Sequence, residues 1–235
     1  LSFFMFTFFQ DRDGKFQLTS LAESGFDPLS RSCRFMLTEE AHHMFVGESG
    51  VGRVVERSAQ LSAEHDTLEI GRHGGIPLAM IQKWINFHFS ICLDLFGQEK
   101  STNAANFYSM GLKGRYNENK IEDDHLLNND GFLVPDLQNG KVIMSEISAL
   151  TAINERLRND YRDDCQKGVD RWNRIIEKAN VDFKLTLPHI AFNRNIGTFQ
   201  DSNFDLEGNL ISAEEFAANK DTWMPNSKER EFVKS

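Results

Sequence analysis

The sequence predicts an all-α protein, a bundle of long helices followed by an irregular C-terminal extension. Three observations favour this fold class: long segments carry apolar residues at helical spacing, Gly and Pro separate these segments, and the chain after Pro188 lacks clear periodicity. We therefore expect the bundle to occupy residues 1–187 and the extension residues 188–235, packed on it.

The first two predicted helices form a hairpin. An apolar segment over about 1–21 ends where Gly25 and Pro28 fall in one turn, and the second helix follows over about 30–65. Its weak stretch is 47–52, where three glycines each cost about 1 kcal/mol of helix propensity. Such glycines indicate either a close approach by a neighbour or a local distortion of the helix.

The third predicted helix begins after a break at 71–77, because Pro77 suits the first position of a helix. It runs over about 78–110 and is strongly apolar, with Gly97 as a candidate interruption. A loop over 111–115 precedes a shorter helix over about 118–128.

The last elements are a hairpin and a long helix. Asn139-Gly140 lies between two short apolar pairs and predicts a tight β-turn within 130–149. A helix over about 149–180 follows, with apolar residues at helical spacing.

Composition and charge exclude several classes of function. The chain has 35 acidic and 26 basic residues, a net charge of −9, so we expect no nucleic-acid partner. The longest apolar run, 1–9, is far shorter than the roughly 20 residues that span a bilayer, and it lacks the features of a signal peptide. The three cysteines form no disulfide framework. Together these features predict a cytoplasmic protein without a membrane anchor.

The chain opens on an apolar Phe-rich run without an initiator methionine. We therefore expect it to be the later part of a longer polypeptide, whose upstream part covers the first helix.

One candidate metal-binding pair lies in the second helix. Glu40 and His43 are three positions apart, which places them one turn apart on one face, and Glu39 and His42 repeat this spacing on the adjoining face. A carboxylate and an imidazole at this spacing can bind one metal ion, as in carboxylate-bridged two-iron bundles. A single such pair more often lies on a solvated helix surface.

A second pair, Glu122 and His125, follows in the predicted helix over 118–128. Two acid–imidazole pairs on different helices are what a dinuclear centre needs, together with one oxygen ligand from each of two other helices. The sequence therefore indicates a metal centre between the helices.

The two further ligands have several candidates. If the hairpin turn is centred on Gly25, Gln10 lies level with Glu40, although its amide is a weaker donor than a carboxylate. Asp11 or Asp13 are the alternatives there. In the third helix, Asp94 has no obvious basic partner in an apolar stretch, and a metal ion would compensate its charge. Glu99 is its competitor.

Several segments together resemble the oxygenase components of benzoyl-CoA 2,3-epoxidases, a family of ferritin-like two-iron oxygenases. The segment 35–44 is also similar to the Asp-Glu-Ala-Arg-His segment of bacterial multicomponent monooxygenase hydroxylases, and this similarity selects Glu40 and His43 rather than Glu39 and His42. The other segments that carry the resemblance are 93–97, 101–106, 111–115, 122–125 and 182–189.

The resemblance implies a ferritin-like bundle holding two iron ions, with dioxygen as co-substrate. It implies that one oxygen atom adds to the ring of benzoyl-CoA, giving the 2,3-epoxide in aerobic benzoate degradation, while the other leaves as water. It also implies a separate flavin and iron–sulfur reductase that uses NADPH. The metal and catalytic residues would be Glu40, His43, Asp94, Glu122 and His125, with Gln10 as a further metal ligand.

Two other hypotheses are compatible with the sequence. The chain could be another ferritin-like two-iron hydroxylase or oxidase, or a metal-free helical binding protein in which the acid–imidazole pairs only form hydrogen bonds. A Phe-rich lining from 3–9, 87 and 89 would suit an aromatic substrate, but the same residues also suit an ordinary core.

Overall fold

The structure, a computed structural model, describes residues 1–125, 127 and 130–232. Helices dominate it, and two small antiparallel β-hairpins are inserted between them. The helices are α1 Ser2–Ala22, α2 Asp27–His65, α3 Leu78–Asp94, α4 Thr102–Ser109, α5 Ile153–Lys178, α6 Ala213–Trp223 and α7 Ser227–Phe232. The strands are β1 Gly131–Gln138, β2 Lys141–Ser148, β3 Asn203–Phe204 and β4 Leu210–Ile211. The mainly helical fold class is therefore confirmed.

The α1–α2 hairpin packs backbone against backbone. A methyl group built at Gly47 would lie 2.5 Å from the backbone nitrogen of Phe8, and one built at Gly50 would overlap the ring of Phe4. Of the two explanations for glycines in α2, close approach is the correct one for these positions. Helices α3 and α5 complete the core, in which Phe8, Phe89 and Trp172 are buried.

The third predicted helix is interrupted at Gly97, as expected. Helix α3 ends at Asp94, and Gly97 has a φ of +81°, a conformation that glycine adopts without strain. Helix α4 then begins after Ser101, whose hydroxyl accepts a hydrogen bond from the backbone N–H of Ala104.

The predicted helix over 118–128 is wrong. A single 3₁₀ turn, Glu118–Lys120, is present, and His125 has a left-handed φ of 58° that no α-helix contains. The cause is Arg115, which is buried and pairs with both Glu118 and Asp123, so the chain folds around its guanidinium group. Of the predicted range, residues 126 and 128 lie outside the described residues.

The β1–β2 hairpin confirms the predicted turn. Gln138 pairs with Lys141, so Asn139 and Gly140 form a two-residue connection, and both have positive φ, 50° and 73°. This is the backbone that a type I′ turn requires. After Pro188 the described chain includes α6 and α7, and its fully buried Phe199 and Phe204 form a second small core with Leu137 and Val142 of the β1–β2 hairpin.

Among the described residues, none of the helices combines the length and apolarity needed to cross a lipid bilayer. All three cysteines are free, in agreement with the expectation that they form no disulfide framework.

Candidate metal centre

Asp11, Glu40 and His43 converge between α1 and α2. One potential ligand atom from each lies within 4.8 Å of the others, and His43 Nδ1 is 3.7 Å from Asp11 Oδ2. Among the described residues this is the one group of three or more acidic, His or Cys side chains with that spacing. Two carboxylates and an imidazole are ligands that suit a divalent transition metal such as iron.

The helix register explains why these residues meet. A methyl group built at Gly14 would lie 3.5 Å from Glu40 Oε1, so the carboxylate of Glu40 lies beside a residue without a side chain. Glu40 is therefore level with Gly14, and the predicted alignment with Gln10 is wrong by about one helical turn.

Asp11, the residue after Gln10, is thus the side chain of α1 that lies beside Glu40 and His43. Helical spacing predicted Glu40 and His43 as a metal-binding pair, whereas Asp11 was predicted only as an alternative to Gln10. A role for Gln10 as a ligand stays a prediction. Glu39 and His42, on the adjoining face, are exposed.

Burial and mutual repulsion disfavour negative charge on the two carboxylates. Burial raises the pKa of Asp11, and the neighbouring His43 partly offsets this. Burial also raises the pKa of Glu40, and Asp11 raises it further. One oxygen of Glu40, Oε2, is buried without a hydrogen-bond partner. A bound cation would compensate both the charge and the unpaired oxygen.

Asp13 lies deeper than this cluster and points into the core. It accepts a hydrogen bond from Gln17 Nε2 at 2.9 Å, and burial together with the nearby Glu40 raises its pKa to about 7. Asp13 is therefore a weaker candidate than Asp11 for the metal ligand that the sequence predicts in α1.

The third-helix candidates belong to a buried network of ion pairs. Asp94 Oδ1 accepts a hydrogen bond from Arg194 Nε at 2.5 Å, and its Oδ2 accepts one from the backbone N–H of Asn195 at 2.8 Å. The expectation that Asp94 has no basic partner is therefore wrong, because Arg194 comes from the C-terminal extension. Glu99 lies 3.3 Å from Arg158 in the same network. Its charged members are Asp94, Glu99, Glu155, Arg158 and Arg194.

The second acid–imidazole pair does not lie on a helix. Glu122 is exposed, and His125 Nδ1 is 2.7 Å from Glu118 Oε1, within the loop that Arg115 organises. Neither residue joins the cluster of Asp11, Glu40 and His43. The assignment of Asp94, Glu122 and His125 as metal and catalytic residues stays a prediction.

Comparison with known proteins gives one informative match. The chain is 52% identical, over its whole length, to benzoyl-CoA oxygenase component B of Aromatoleum evansii, and it spans about half the length of that protein. No family model matches the chain. Identity this high over an entire chain is the mark of common descent. The chain belongs to the same family as this oxygenase component.

The phenylalanines expected to line a site in this family member divide into three groups by burial. Phe8, Phe9 and Phe89 are fully buried in the core between the helices. Phe4 and Phe87 are partly buried and pack against that core. Phe3 and Phe6 are 64% and 46% exposed. Only the fully buried group is placed to exclude water from the helix interior.

The donor set fits one metal ion well and a second one poorly. Asp11, Glu40 and His43 supply one nitrogen and at least two oxygens within reach of a single cation. A second ion would need Asp94 to leave Arg194 and His125 to leave Glu118, since both are engaged in close contacts.

Proposed function

We propose that this chain is the iron-binding part of an oxygenase component that adds oxygen to the aromatic ring of benzoyl-CoA, giving the 2,3-epoxide. Two observations support the proposal. The first is the 52% identity to a protein named benzoyl-CoA oxygenase component B. The second, which carries the metal chemistry, is the convergence of Asp11, Glu40 and His43 in this same chain.

Asp11, Glu40 and His43 would hold the first iron. When bound, iron would supply the reduction of dioxygen that the organic side chains cannot perform. The two carboxylates favour a cation, and the unpaired Oε2 of Glu40 offers an oxygen that no protein donor occupies. Asp13, with its pKa near 7, can hold a proton beside Glu40 and so limit the negative charge around the ion.

We further propose a second iron held by Glu122, His125 and either Asp94 or Glu99, as the family resemblance implies. Its assembly would require a rearrangement of the loop around Arg115 and of the Asp94–Arg194 pair. The number of iron ions per chain is therefore a direct measure of whether this rearrangement occurs.

The electrons would come from outside the chain. The proposed reaction consumes dioxygen and two electrons, places one oxygen atom on the ring and releases the other as water. We propose a separate flavin and iron–sulfur reductase that draws on NADPH, acting in the cytoplasm. The words "component B" in the relative's name describe one part of a system of several components.

The metal proposal is tested by iron binding to the purified full chain. We expect D11N and E40Q each to weaken iron binding at least about tenfold, because each removes a charged ligand. E39Q is the matched control, since Glu39 is the exposed neighbour of Glu40 in the same helix. Wild-type affinity in all three variants would show that the cluster is not the metal site.

The reaction is tested by oxygen uptake with reductase and NADPH. Benzoyl-CoA should stimulate uptake and gain one oxygen atom by mass spectrometry, whereas free benzoate should do neither. Uptake that ignores the thioester would instead favour another ferritin-like hydroxylase or oxidase. A chain that binds no iron under any condition would favour the metal-free binding protein.

A further inference from the structure

His88 in α3 is a buried polar residue without a hydrogen-bond partner. Its side chain has both ring nitrogens unpaired although the residue is only 5% exposed. One helical turn earlier, Trp84 Nε1 is also buried and unpaired. Native proteins rarely leave such groups unsatisfied, and each case calls for a missing partner such as a ligand or a bound water.

Aromatic rings surround this imidazole. The Phe9 ring lies parallel to it at 6.4 Å between centroids, the Trp84 ring at 5.6 Å, and the Phe87 ring meets it edge-on at 5.2 Å. We call this set, Phe9, Trp84, Phe87 and His88, the aromatic box.

The imidazole in the box is neutral at physiological pH. Burial, assisted by the nearby positive charge of Arg230, lowers the pKa of His88 to about 4. A neutral imidazole offers one N–H donor and one nitrogen acceptor. The box therefore provides flat apolar walls and a donor suited to an uncharged carbonyl oxygen.

A C-terminal segment, residues 221–230, lies across the box, and we call it the strap. Its Glu229 pairs with Lys83 at 2.7 Å, and the carbonyl of Trp223 accepts a hydrogen bond from Asn86 at 2.9 Å. Arg230 places its guanidinium carbon 4.9 Å from the centre of the Phe87 ring. Lys83 and Glu229 are partly exposed and Arg230 is exposed, whereas Asn86 is buried, so separation of the strap from α3 would break one buried hydrogen bond besides the contacts at the surface.

The box adjoins the candidate metal centre along α1. Phe9 and Asp13 are four positions apart, on one face and separated by about one turn, or roughly 5 Å. Asp11, a member of the cluster, lies between these two residues in α1. A ligand in the box would therefore lie beside the same turn of α1 that carries Asp11.

We propose that the aromatic box binds the aromatic acyl end of a neutral thioester, that His88 donates a hydrogen bond to its carbonyl oxygen, and that the strap closes over it. This inference rests on the proposed function and deepens it by naming the residues that select the substrate. A free aromatic carboxylate would be rejected, because burying its charge against a neutral imidazole is costly.

The test measures ligand binding to the full-length, metal-free chain without dioxygen, so it does not depend on turnover. Benzoyl-CoA should quench tryptophan fluorescence and shift the ¹⁵N resonances of His88, whereas coenzyme A alone and benzoate should not shift those resonances. H88F keeps an aromatic ring of similar shape but removes both nitrogens. We expect it to fold with an equal or higher melting temperature and to bind benzoyl-CoA at least about tenfold more weakly.

H65F is the matched control, because His65 is an exposed histidine that stacks on another ring outside the box. It should bind benzoyl-CoA as the wild type does. E229Q, which removes the ion pair holding the strap, should speed dissociation of benzoyl-CoA several-fold.

Three results would overturn the inference. They are equal affinity for benzoyl-CoA in H88F and wild type, His88 resonances that do not shift when benzoyl-CoA is added, and no binding of benzoyl-CoA to a folded wild-type chain. Iron binding measured on the same samples separates this failure from failure of the metal proposal. If the chain binds iron normally but shows one of these three results, the proposal for the aromatic box fails and the proposal for the metal centre stands.

Discussion

The carboxylate of Asp94 is neutralised by a residue from the other end of the chain. Arg194 lies 100 positions away, and its side chain is completely buried against Asp94. The backbone N–H and the side-chain amide of Asn195 each donate a hydrogen bond to the same carboxylate. The ion pair thus accounts for the burial of Asp94 without any metal ion.

Replacing Asp94 with Asn tests this account. The change leaves Arg194 buried with a weakened set of counter-charges, so we expect a loss of about 3 kcal/mol in the free energy of unfolding, measured by urea denaturation. D27N, which breaks the exposed pair with Arg31, should cost less than about 1 kcal/mol. Unchanged stability in D94N would contradict the ion-pair account, and loss of iron from that variant would then favour Asp94 over Glu99 as the ligand of the proposed second iron.

Local spacing was sufficient to place Glu40 and His43 on one face of a helix, because residues three apart share a helical face whatever the rest of the fold does. Asp11 could be found only as an alternative, since its position opposite His43 depends on the register in which α1 and α2 pack, which the length of the turn does not determine. Arg194 had no signal in the sequence near Asp94, because their contact joins segments that are distant in the chain.

At the scale of elements, the α1–α2 hairpin determines the position of the candidate metal centre. Its close approach depends on Gly47, beside the backbone of Phe8, and places Asp11 opposite His43. The glycines that lower the helix propensity of α2 therefore serve the packing of α1.

Alanine substitutions in α2 separate packing from propensity. G47A would place a methyl group 2.5 Å from a backbone atom, so the helices must move apart, and we expect a loss of about 1–3 kcal/mol in unfolding free energy. G52A is the control, because its methyl group would meet its nearest neighbours at an ordinary 3.8 Å. It should stabilise the chain by roughly 0.5–1 kcal/mol. Thermal or urea unfolding measures both, and equal effects would contradict the close-approach explanation.

Helices with strong periodicity and a hairpin with an Asn-Gly turn were predictable because their signals are local. The segment 118–128 was not, because Arg115 draws Glu118 and Asp123 around its buried guanidinium and overrides any helical preference. A pattern of three acidic residues, a histidine and two leucines is compatible with either outcome, and the tertiary contact decides.

At the scale of the whole molecule, the C-terminal extension carries a second small apolar core and is joined to the bundle by buried polar contacts. Beyond Arg194, the backbone N–H of Thr198 donates to Glu99 at 2.8 Å, and Phe199 and Phe204 are fully buried. Sequence periodicity could not show this, because short buried loops have no repeating pattern.

Hydrogen exchange tests whether the extension and the bundle unfold together. We expect peptides covering 190–204 and 85–96 to exchange with similar opening free energies, because Arg194 and Asn195 hold both segments to the same carboxylate. R194M should lower the protection of both peptides together. K83M, which removes the contacts of α3 with Glu229 and with the backbone carbonyl of Asp221, should lower protection in 221–230 and leave 190–204 unchanged. Rapid exchange of 190–204 beside a protected α3 would show instead that the extension is a separate unit, and Asp94 would then need another partner.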